Sequence, residues 1–499
     1  MKKTRLFMLV GLTLVMLMAA MPAFADPDPG EGNTDVIVTN TNQNTGAAAA
    51  QVTAMYYNTS GMAEYNRNQN LSSRASYNFK ASDATGLGDN WSGSMVIQSD
   101  NELAAVGEIH WTGGSFADGK EADAYTGYPV GATTMYLPYV AYANNQFTTV
   151  SVQNTESTPV TILMTYINRS GNADFTNVSI NLPALGSANF PMNTPGQNNV
   201  PNLTQTTFYQ QNGAWIGGIK IETQGGKKIV AVANNHRNQW SMAYNGFAQA
   251  SQTSYVPSAE RRVQAGDVWS GFSIISAQCV SNTACDVRFQ FTDQGNVALT
   301  LTKNGVAPGA SVAANTRAGG DFDPNLYSSL GVNGQWAGSV IVSSTNGQTL
   351  AVVSESIRPN INVSGATSSA TVAEGGRESF LPAVYQKNSA NQSCPPNSSQ
   401  WQVYSLLRVQ NPNNSNASGV TISYFNLDGS LKYQETGVSI PAGQPVFRNT
   451  RNNCSSIPLG GNWTGSIYVQ SPSQPLVTVL ENLWGSAEMA AYNGYSVNR

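Results

Sequence analysis

The amino-acid sequence predicts an all-β protein built from four tandem β-sandwich repeats. Four tryptophans, each followed two residues later by glycine, stand between 121 and 127 residues apart, at Trp91, Trp215, Trp336 and Trp463. Between them, short runs rich in Val, Ile, Thr, Tyr and Phe end at Gly, Asn, Pro or Ser, as strands joined by turns do. A period of this length is the size of a small domain, enough for about seven to nine strands in two packed sheets.

The strand signals come in the same order along each repeat. Repeats 2, 3 and 4 begin with an aromatic residue, an aliphatic residue and proline: Tyr136-Leu137-Pro138, Tyr255-Val256-Pro257 and Phe380-Leu381-Pro382. A strand-like run then ends in asparagine in three repeats, at Asn40, Asn154 and Asn411, and a second run stops at a turn containing glycine. After the Trp-x-Gly motif, two apolar runs flank a short turn, which in repeat 3 is Asn346-Gly347, a dipeptide that favours tight hairpins.

The ends of the repeats are less uniform. Repeats 1, 2 and 4 close with Ala-Tyr-x-Gly, beginning at Ala124, Ala243 and Ala491, whereas repeat 3 has a stretch of small residues at 365–373 and no such motif. These landmarks predict repeats at residues 26–131, 132–251, 252–375 and 376–499, arranged end to end as a rod of about 120–160 Å. Repeat 1 has no aromatic-x-Pro segment, so we expect it to lack its first strand.

The N-terminus is typical of a secretory signal peptide. Lys2, Lys3 and Arg5 precede an apolar run, and Ala23-Phe24-Ala25 forms a small-x-small cleavage site, so residues 1–25 are predicted to be removed. No other apolar run is long enough to cross a membrane as a helix. The sequence therefore predicts an extracellular or cell-surface protein without a transmembrane segment.

The charge of the chain restricts its partners. There are 29 acidic and 25 basic residues, and three of the basic ones lie in the predicted signal peptide, so the surface is unsuited to nucleic acid. Only 11% of the residues are charged, against about 25% in an average domain. Such a weakly charged polar surface is compatible with a neutral extracellular coat, and also with close packing against other copies or against glycan.

The four cysteines divide evenly between two repeats. Cys279 and Cys285 lie close together in repeat 3, and Cys394 and Cys454 both lie in repeat 4. Because even numbers of cysteines in an exported domain favour disulfides over a metal site, we predict the bonds Cys279–Cys285 and Cys394–Cys454. Repeats 1 and 2 contain no cysteine, so these bonds reinforce the fold and do not define it.

The sequence contains no catalytic constellation. Its two histidines, His110 and His236, occupy the same repeat position, where repeats 3 and 4 have Ile357 and Leu483, which favours a structural role. The motifs of zinc peptidases, serine hydrolases and phosphate-binding loops are absent from the sequence. We therefore predict that the chain is not an enzyme and has no catalytic residue, cofactor or metal.

Two positions beside the histidines also carry polar or aromatic side chains. Two residues before the histidine position stand Glu108, Asn234, Glu355 and Glu481; one residue after it stand Trp111, Arg237, Arg358 and Trp484. We expect the acidic residues to accept hydrogen bonds from a loop backbone, with a site shared by several repeats as the alternative. We expect the second set to contact neighbouring repeats, with a stacking platform for sugar as the alternative. The loop carboxylates Asp321 with Asp323, and Asp83 with Asp89, match no known calcium loop.

The Trp-x-Gly motif and the missing strand each lead to a structural expectation. The four tryptophans are predicted to be core residues, because an indole buries a large apolar area while the nearby glycine lets another backbone approach. A repeat that lacks a strand exposes a sheet edge, which can pair with another chain and build filaments head to tail. The alternatives are that the strand is dispensable or that the Pro-rich segment after the cleavage site replaces it.

The tandem arrangement resembles secreted bacterial proteins built of immunoglobulin-like β-sandwiches: surface-layer subunits, adhesin stalks and extracellular filament proteins. This resemblance lies in the architecture of the mature chain and in generic motifs. It implies a non-catalytic structural protein of a surface layer, sheath or filament, which associates with itself or with neighbouring surface proteins. The alternative is an adhesin or glycan-binding protein, in which one repeat should expose clustered aromatic residues.

Overall fold

The computed structural model describes residues 30–88, 90–113, 121–143, 145–237, 240–264, 268–293, 296–331, 334–358, 363–368, 370–371, 375–395, 398–485 and 488–497. The described residues form antiparallel β-strands almost throughout, which confirms the predicted all-β class. The predicted signal peptide lies outside them. Among the described connections there is one short helix, α1 (Thr207–Asn212), and 3-10 turns at Ala81–Asp83, Gln197–Asn199, Leu203–Gln205, Gln224–Gly226, Pro324–Ser329 and Ser398–Gln400.

The strands follow the order of the sequence repeats. Repeat 1 contains β1 (Gly30–Asn40), β2 (Ala50–Asn58), β3 (Ala63–Leu71), β4 (Ser76–Phe79), β5 (Gly93–Ser99), β6 (Leu103–Gly113) and β7 (Glu121–Thr126). Repeat 2 contains β8 (Thr134–Ala143), β9 (Gln146–Asn154), β10 (Val160–Asn168), β11 (Ala173–Leu182), β12 (Ser187–Pro191), β13 (Trp215–Thr223), β14 (Ile229–Arg237) and β15 (Trp240–Asn245). Repeat 3 contains β16 (Thr253–Gln264), β17 (Val268–Cys279), β18 (Cys285–Asp293), β19 (Asn296–Val306), β20 (Ser311–Asn315), β21 (Gly319–Gly320), β22 (Gln335–Ser344), β23 (Leu350–Arg358), β24 (Val363–Ser368) and β25 (Ala370–Thr371). Repeat 4 contains β26 (Glu378–Asn388), β27 (Trp401–Gln410), β28 (Ala417–Asn426), β29 (Leu431–Ile440), β30 (Pro445–Asn449), β31 (Asn462–Gln470), β32 (Val477–Trp484), β33 (Glu488–Asn493) and β34 (Tyr495–Val497).

Repeat 2 illustrates how each repeat is layered. The strands β11-β10-β13-β8 form one layer and β12-β9-β14-β15 form the other, and the layers are joined where β8 turns back into β9. Side chains from both layers, such as Val150, Ile162 and Trp215, meet between them and are fully buried. Because successive residues of a strand face opposite sides, every second residue of these strands is apolar and fills the space between the layers, consistent with a β-sandwich.

The same order recurs in the other repeats. Repeat 3 has the layers β19-β18-β22-β16 and β20-β17-β23-β24, and repeat 4 has β29-β28-β31-β26 and β30-β27-β32-β33. Repeat 1 has the layers β3-β2-β5 and β4-β1-β6-β7. Among the described residues, the layer that contains β5 is therefore one strand shorter than its counterparts.

Repeat 3 has a closing strand although its sequence lacks the closing motif. Strand β24 pairs antiparallel with β23, from Val353 opposite Ser368 to Arg358 opposite Val363, in the same way as β15 pairs with β14. A backbone ladder does not require the Ala-Tyr pair, so small and β-branched residues can form the strand as well. Repeat 3 therefore has the closing strand of the other repeats without their closing motif.

Buried asparagines stabilise the turn of the chain that follows β1, β9 and β27. The side chains of Asn40, Asn154 and Asn411 are fully buried. Their Nδ2 atoms donate to backbone carbonyl oxygens across the corner, at 3.0 Å to Leu71, 2.7 Å to Pro183 and 3.0 Å to Ile440. In repeat 3 the chain has Cys279 at this place, and its disulfide bond to Cys285 closes the same corner covalently. The second disulfide joins Cys394 and Cys454.

The four repeats form a closed ring and not a rod. The closing strands β7, β15, β24 and β33 lie together at its centre, and each packs against two neighbours, so that β7 of repeat 1 contacts β33 of repeat 4. Asn245 on β15 accepts a hydrogen bond from the backbone N of Thr126 at 3.1 Å and donates to its carbonyl oxygen at 2.7 Å. The rod expected from the sequence was wrong, because it assumed that consecutive repeats meet at their linkers alone.

Candidate functional site

The first strand of repeats 2, 3 and 4 contacts two repeats at once. Strands β8, β16 and β26 hydrogen-bond to β13, β22 and β31, the strands that carry the Trp-x-Gly motif in their own repeats. Each also packs against the next repeat round the ring: β8 against β17 and β23, β16 against β27 and β32, and β26 against β1 and β6. A first strand therefore completes its own sheet and fills the interface with the next repeat.

Proline gives these first strands their shape. The pairing register shifts at Pro138, Pro257 and Pro382, because proline has no N–H to give to the ladder and is accommodated at a bulge. The residue before each proline and the residue two after it both enter the core. These aliphatic pairs, all 0% exposed, are Leu137 with Val140, Val256 with Ala259, and Leu381 with Val384.

Repeat 1 has an open sheet edge at the corresponding place. Within the described residues, β5 pairs with β2 alone, whereas β13, β22 and β31 are each paired on both sides. The outer N–H and C=O groups of an edge strand are free to bond to another strand. The candidate functional site is this edge together with the face of repeat 2 that lies opposite it.

The missing strand leaves apolar side chains of repeat 1 partly exposed. Met95 and Ile97 on β5 are partly buried, while Ile219 and Ile221, their counterparts on β13, are 0% exposed. All four side chains are apolar, and β13 is flanked by β8 whereas β5 has no such neighbour among the described residues. Repeat 1 therefore exposes part of an apolar core along β5.

The tryptophans of the repeated motif follow the same pattern. Trp215, Trp336 and Trp463 are 0%, 2% and 5% exposed. Trp91 is partly buried and its Nε1 donates to Glu64 Oε2 at 2.7 Å. Trp91 thus packs against the core of repeat 1 without the full burial of its three counterparts, in the repeat whose layer ends at β5.

The repeated acidic residues lie at the interfaces between repeats. Glu108 of repeat 1 is 2% exposed and accepts hydrogen bonds from two side chains of repeat 4, Tyr385 Oη at 2.7 Å and Asn482 Nδ2 at 2.8 Å. Burial raises the pKa of Glu108 to about 7, although the hydrogen bond from Tyr385 acts in the opposite direction. The expectation that these acids accept bonds from a loop backbone was wrong, since the partners of Glu108 are side chains of another repeat.

Glu481 of repeat 4 occupies the equivalent position at the next interface. It is fully buried, accepts a hydrogen bond from Ser258 Oγ of repeat 3, and lies 2.8 Å from Arg358 Nη2 of repeat 3 and 3.1 Å from Arg408 Nε of its own repeat. Burial alone would raise the pKa of Glu481, but the two guanidinium groups outweigh it and hold the pKa at about 2. This carboxylate therefore stays charged and ties repeats 3 and 4 together.

Glu355 of repeat 3 holds the equivalent position at the interface between repeats 2 and 3. It is 5% exposed, and burial raises its pKa to about 7 against the attraction of Arg237 in repeat 2. The fourth interface, between repeats 1 and 2, differs from the other three. At the equivalent position repeat 2 has Asn234, which is 7% exposed and whose Oδ1 has no hydrogen-bond partner among the described residues. The uncharged Asn234 thus stands at the interface with repeat 1, the repeat that lacks a first strand.

The histidines also lie at contacts between repeats. His110 packs edge-on against Trp484 of repeat 4, and His236 packs edge-on against Trp111 of repeat 1, each with ring centroids 4.8 Å apart. Burial lowers the pKa of His236 to about 4. Burial disfavours the charged form of His110 too, but its bond to Glu488 Oε2, at 2.9 Å, raises the pKa of that imidazole.

The loop carboxylates have protein partners. Asp321 pairs with Arg169 of repeat 2, and Asp323 accepts a hydrogen bond from the backbone N of Asn325 at 2.9 Å. Asp83 lies 3.1 Å from Arg67, and Asp89 lies outside the described residues. Across the described part of the chain, no three His, Cys, Asp or Glu side chains are grouped as metal ligands would be.

The buried Glu108 should make the stability of the ring depend on pH. The folded pKa of about 7 lies above the ordinary 4.5, so the folded state takes up a proton first and is stabilised as pH falls from 8 to 5. We expect Glu108→Gln to remove this gain. The free energy of unfolding of the variant minus that of the wild type should therefore be roughly 3 kcal/mol larger at pH 8 than at pH 5.

Urea denaturation at several pH values measures this difference. The control variant Glu222→Gln removes a carboxylate whose side chain is 45% exposed and paired with Lys220, so it tests the loss of a charge without burial. Parallel curves for wild type and Glu108→Gln across this range would contradict the expected protonation of Glu108.

Sequence reasoning located the acid, histidine and tryptophan positions but not their partners. Tyr385 and Asn482 lie more than 270 residues from Glu108, and neither belongs to a repeated motif. The exception at Asn234 was visible in the sequence, because its three counterparts are acidic.

Neither a membrane-spanning helix in the described part of the chain nor a known relative helps to interpret the site. Among the described residues, every helix is too short or too polar to cross a membrane. The chain matches no protein-family model, and a search of curated proteins gave no match either.

Proposed function

We propose that this chain is a non-catalytic structural protein of an extracellular layer, sheath or filament, and that it joins a neighbouring protein through the open edge of β5. The observation that supports this most strongly is the unpaired edge itself, which lies beside the partly exposed Met95 and Ile97. Unpaired strand edges with apolar side chains are templates for adding a strand from another chain.

The ring and the disulfides are also in keeping with a structural role. Glu108 and Glu481 bind neighbouring repeats through buried side chains, so the repeats are held as one block with one unfinished interface. The bonds Cys279–Cys285 and Cys394–Cys454 favour an oxidising location, as outside the cell. A block with one open edge can attach in a defined orientation.

Immunogold electron microscopy of cells that produce the protein tests the proposed function. Antibodies against the purified mature chain should label a continuous outer layer or a filament, and adsorbing the antibodies with that protein should abolish the labelling. Label confined to the cell interior, or protein found free in the medium with none on any surface structure, would contradict the proposal.

Glycan binding is the second candidate, and one contact favours a search for it. Trp269, at the β16–β17 hairpin of repeat 3, is partly buried beside Val268, which is 47% exposed. The guanidinium groups of Arg261 and Arg317 lie over its ring, at 5.3 Å and 5.8 Å from the centroid. A sugar stacked on this indole would have to displace an arginine, so the structural role is the better supported of the two.

A further inference from the structure

We infer that an extended strand of a different polypeptide completes repeat 1, by pairing antiparallel with β5 and filling the interface between repeats 1 and 2. This inference rests on the proposed function, since it names the kind of partner that the open edge of β5 takes. The bound strand would occupy the place that β8, β16 and β26 occupy in the other three interfaces.

The first argument is the repetition of the interface. In three of the four interfaces, a first strand lies between the Trp-motif strand of one repeat and the sheet of the next. Between repeats 1 and 2, β5 has no such partner among the described residues, and β14, which carries Asn234, meets repeat 1 through His236 and Trp111. In the described chain no strand pairs with β5 on that side, although β12 of repeat 2 contacts it.

The second argument is a set of buried polar atoms without partners. In the filled interfaces, Tyr385 of β26 donates to Glu108, and Ser258 of β16 donates to Glu481. Asn234 Oδ1 stands at the same position and accepts no bond from the described residues. An incoming strand with a hydroxyl where β26 has Tyr385 would supply the missing donor.

A second pair of atoms shows the same deficiency. Gln410 Nε2 donates to Ser339 Oγ at 3.2 Å across the interface of repeats 3 and 4. The counterparts between repeats 2 and 1, Gln153 Nε2 and Ser94 Oγ, are both buried and both lack a partner among the described residues. In the filled interface these two side chains bond to each other, so the missing bond shows that repeats 1 and 2 are not closed in the same way.

The three internal first strands define the chemistry of the partner. It should carry two aliphatic side chains three residues apart astride a proline, as Leu381 and Val384 do around Pro382. These side chains would cover Met95 and Ile97. Because Asn234 replaces an acid, the strand needs no positive charge and a neutral donor is sufficient.

A second copy of this chain is a poor source of such a strand. Residues 26–35, which precede the apolar part of β1, contain no aliphatic side chain. The three segments with the aromatic-x-Pro pattern are already paired in their own repeats, where they bury pairs such as Leu137 with Val140. A second copy would have to expose one of its own cores to donate a strand, whereas a separate polypeptide would not.

Binding of a synthetic peptide to the purified mature protein tests the inference. The probe has the sequence of Glu378–Asn388, which includes Leu381, Val384 and Tyr385. We expect saturable binding, with hydrogen exchange of backbone amides in β5 slowed by about tenfold or more. A peptide with Leu381→Asp should not bind, because a carboxylate would enter the apolar gap.

A matched pair of changes tests the contact with Asn234. A peptide with Tyr385→Phe lacks the hydroxyl alone and should bind about three- to tenfold more weakly, as expected for one lost hydrogen bond. In the protein variant Asn234→Leu the two peptides should bind equally, since the acceptor is gone. Circular dichroism of Asn234→Leu provides the check that the variant is folded.

Three results would overturn the inference. The first is a probe that fails to bind while the β5 amides exchange freely, and the second is a probe that slows amide exchange in repeat 4 and not in β5. The third result is peptide-free protein that is oligomeric by light scattering, with the β5 amides already protected from exchange. The last would assign the edge to a second copy. Peptide binding does not depend on where the protein resides, so failure here and failure of the immunogold experiment are separate results.

Discussion

Replacing Glu481 with glutamine should lower the free energy of unfolding by about 3–5 kcal/mol, the usual effect of removing one partner of a buried ion pair. The carboxylate is fully buried between Arg358 and Arg408. Arg358 keeps Glu260 as a partner at 3.0 Å, but Arg408, 3% exposed, has no other acidic partner among the described residues. The amide would leave this arginine charged, buried and uncompensated.

The stability that Glu481 contributes should also depend on pH. The folded pKa of about 2 lies below the ordinary 4.5, so the stability that Glu481 contributes is complete above about pH 4.5 and is lost as pH falls through 2. The difference between these pKa values corresponds to roughly 3 kcal/mol. Urea denaturation should therefore show a gap between wild type and Glu481→Gln that is constant from pH 7 to 5 and narrows below pH 4.5.

An exposed ion pair provides the control for this prediction. Asp83 lies 3.1 Å from Arg67, and its side chain is 43% exposed. We expect Asp83→Asn to cost less than about 1 kcal/mol, because solvent screens exposed pairs. A cost for Glu481→Gln as small as that of Asp83→Asn would mean that the buried network does not hold repeats 3 and 4 together.

The local features of this fold could be predicted from its sequence because they depend on neighbouring residues. Proline marks the bulge of the first strands, and the buried Asn40, Asn154 and Asn411 mark the corners, since each acts on backbone close to it. The strand class follows from β-branched and aromatic runs in the same way. These local signals can be interpreted without knowing how the repeats are arranged.

The ring could not be predicted because its contacts join distant parts of the chain. Glu108 and Tyr385 are brought together by the docking of repeat 1 on repeat 4, and nothing near either residue indicates the other. The closing strand β24 has no sequence motif for a related reason: its pairing with β23 depends on backbone groups, which any sequence supplies. The open edge of β5 was accessible to sequence reasoning because it follows from a segment that repeat 1 lacks.

The same substitution in two repeats should have unequal effects. Trp215 is fully buried and its Nε1 donates to Asp174 Oδ2 at 2.8 Å, so Trp215→Ala should cost about 3–5 kcal/mol through the cavity it leaves. Trp91 stands at the equivalent position but is partly buried, so we expect Trp91→Ala to cost roughly half as much, since less apolar surface leaves water there on folding. Urea denaturation of the two variants measures the difference.

A bound strand should remove this inequality. If an added strand covers Met95 and Ile97, it also covers the indole of Trp91, which belongs to the same apolar cluster. The cost of Trp91→Ala, measured with saturating Glu378–Asn388 peptide, should then rise toward that of Trp215→Ala. The cost of Trp215→Ala should stay constant, because that side chain is already fully buried in a layer that β8 completes. Equal costs for the two variants without peptide would contradict the link between the missing strand and the exposure of Trp91. A cost for Trp91→Ala that the bound peptide leaves unchanged would place the peptide away from this core.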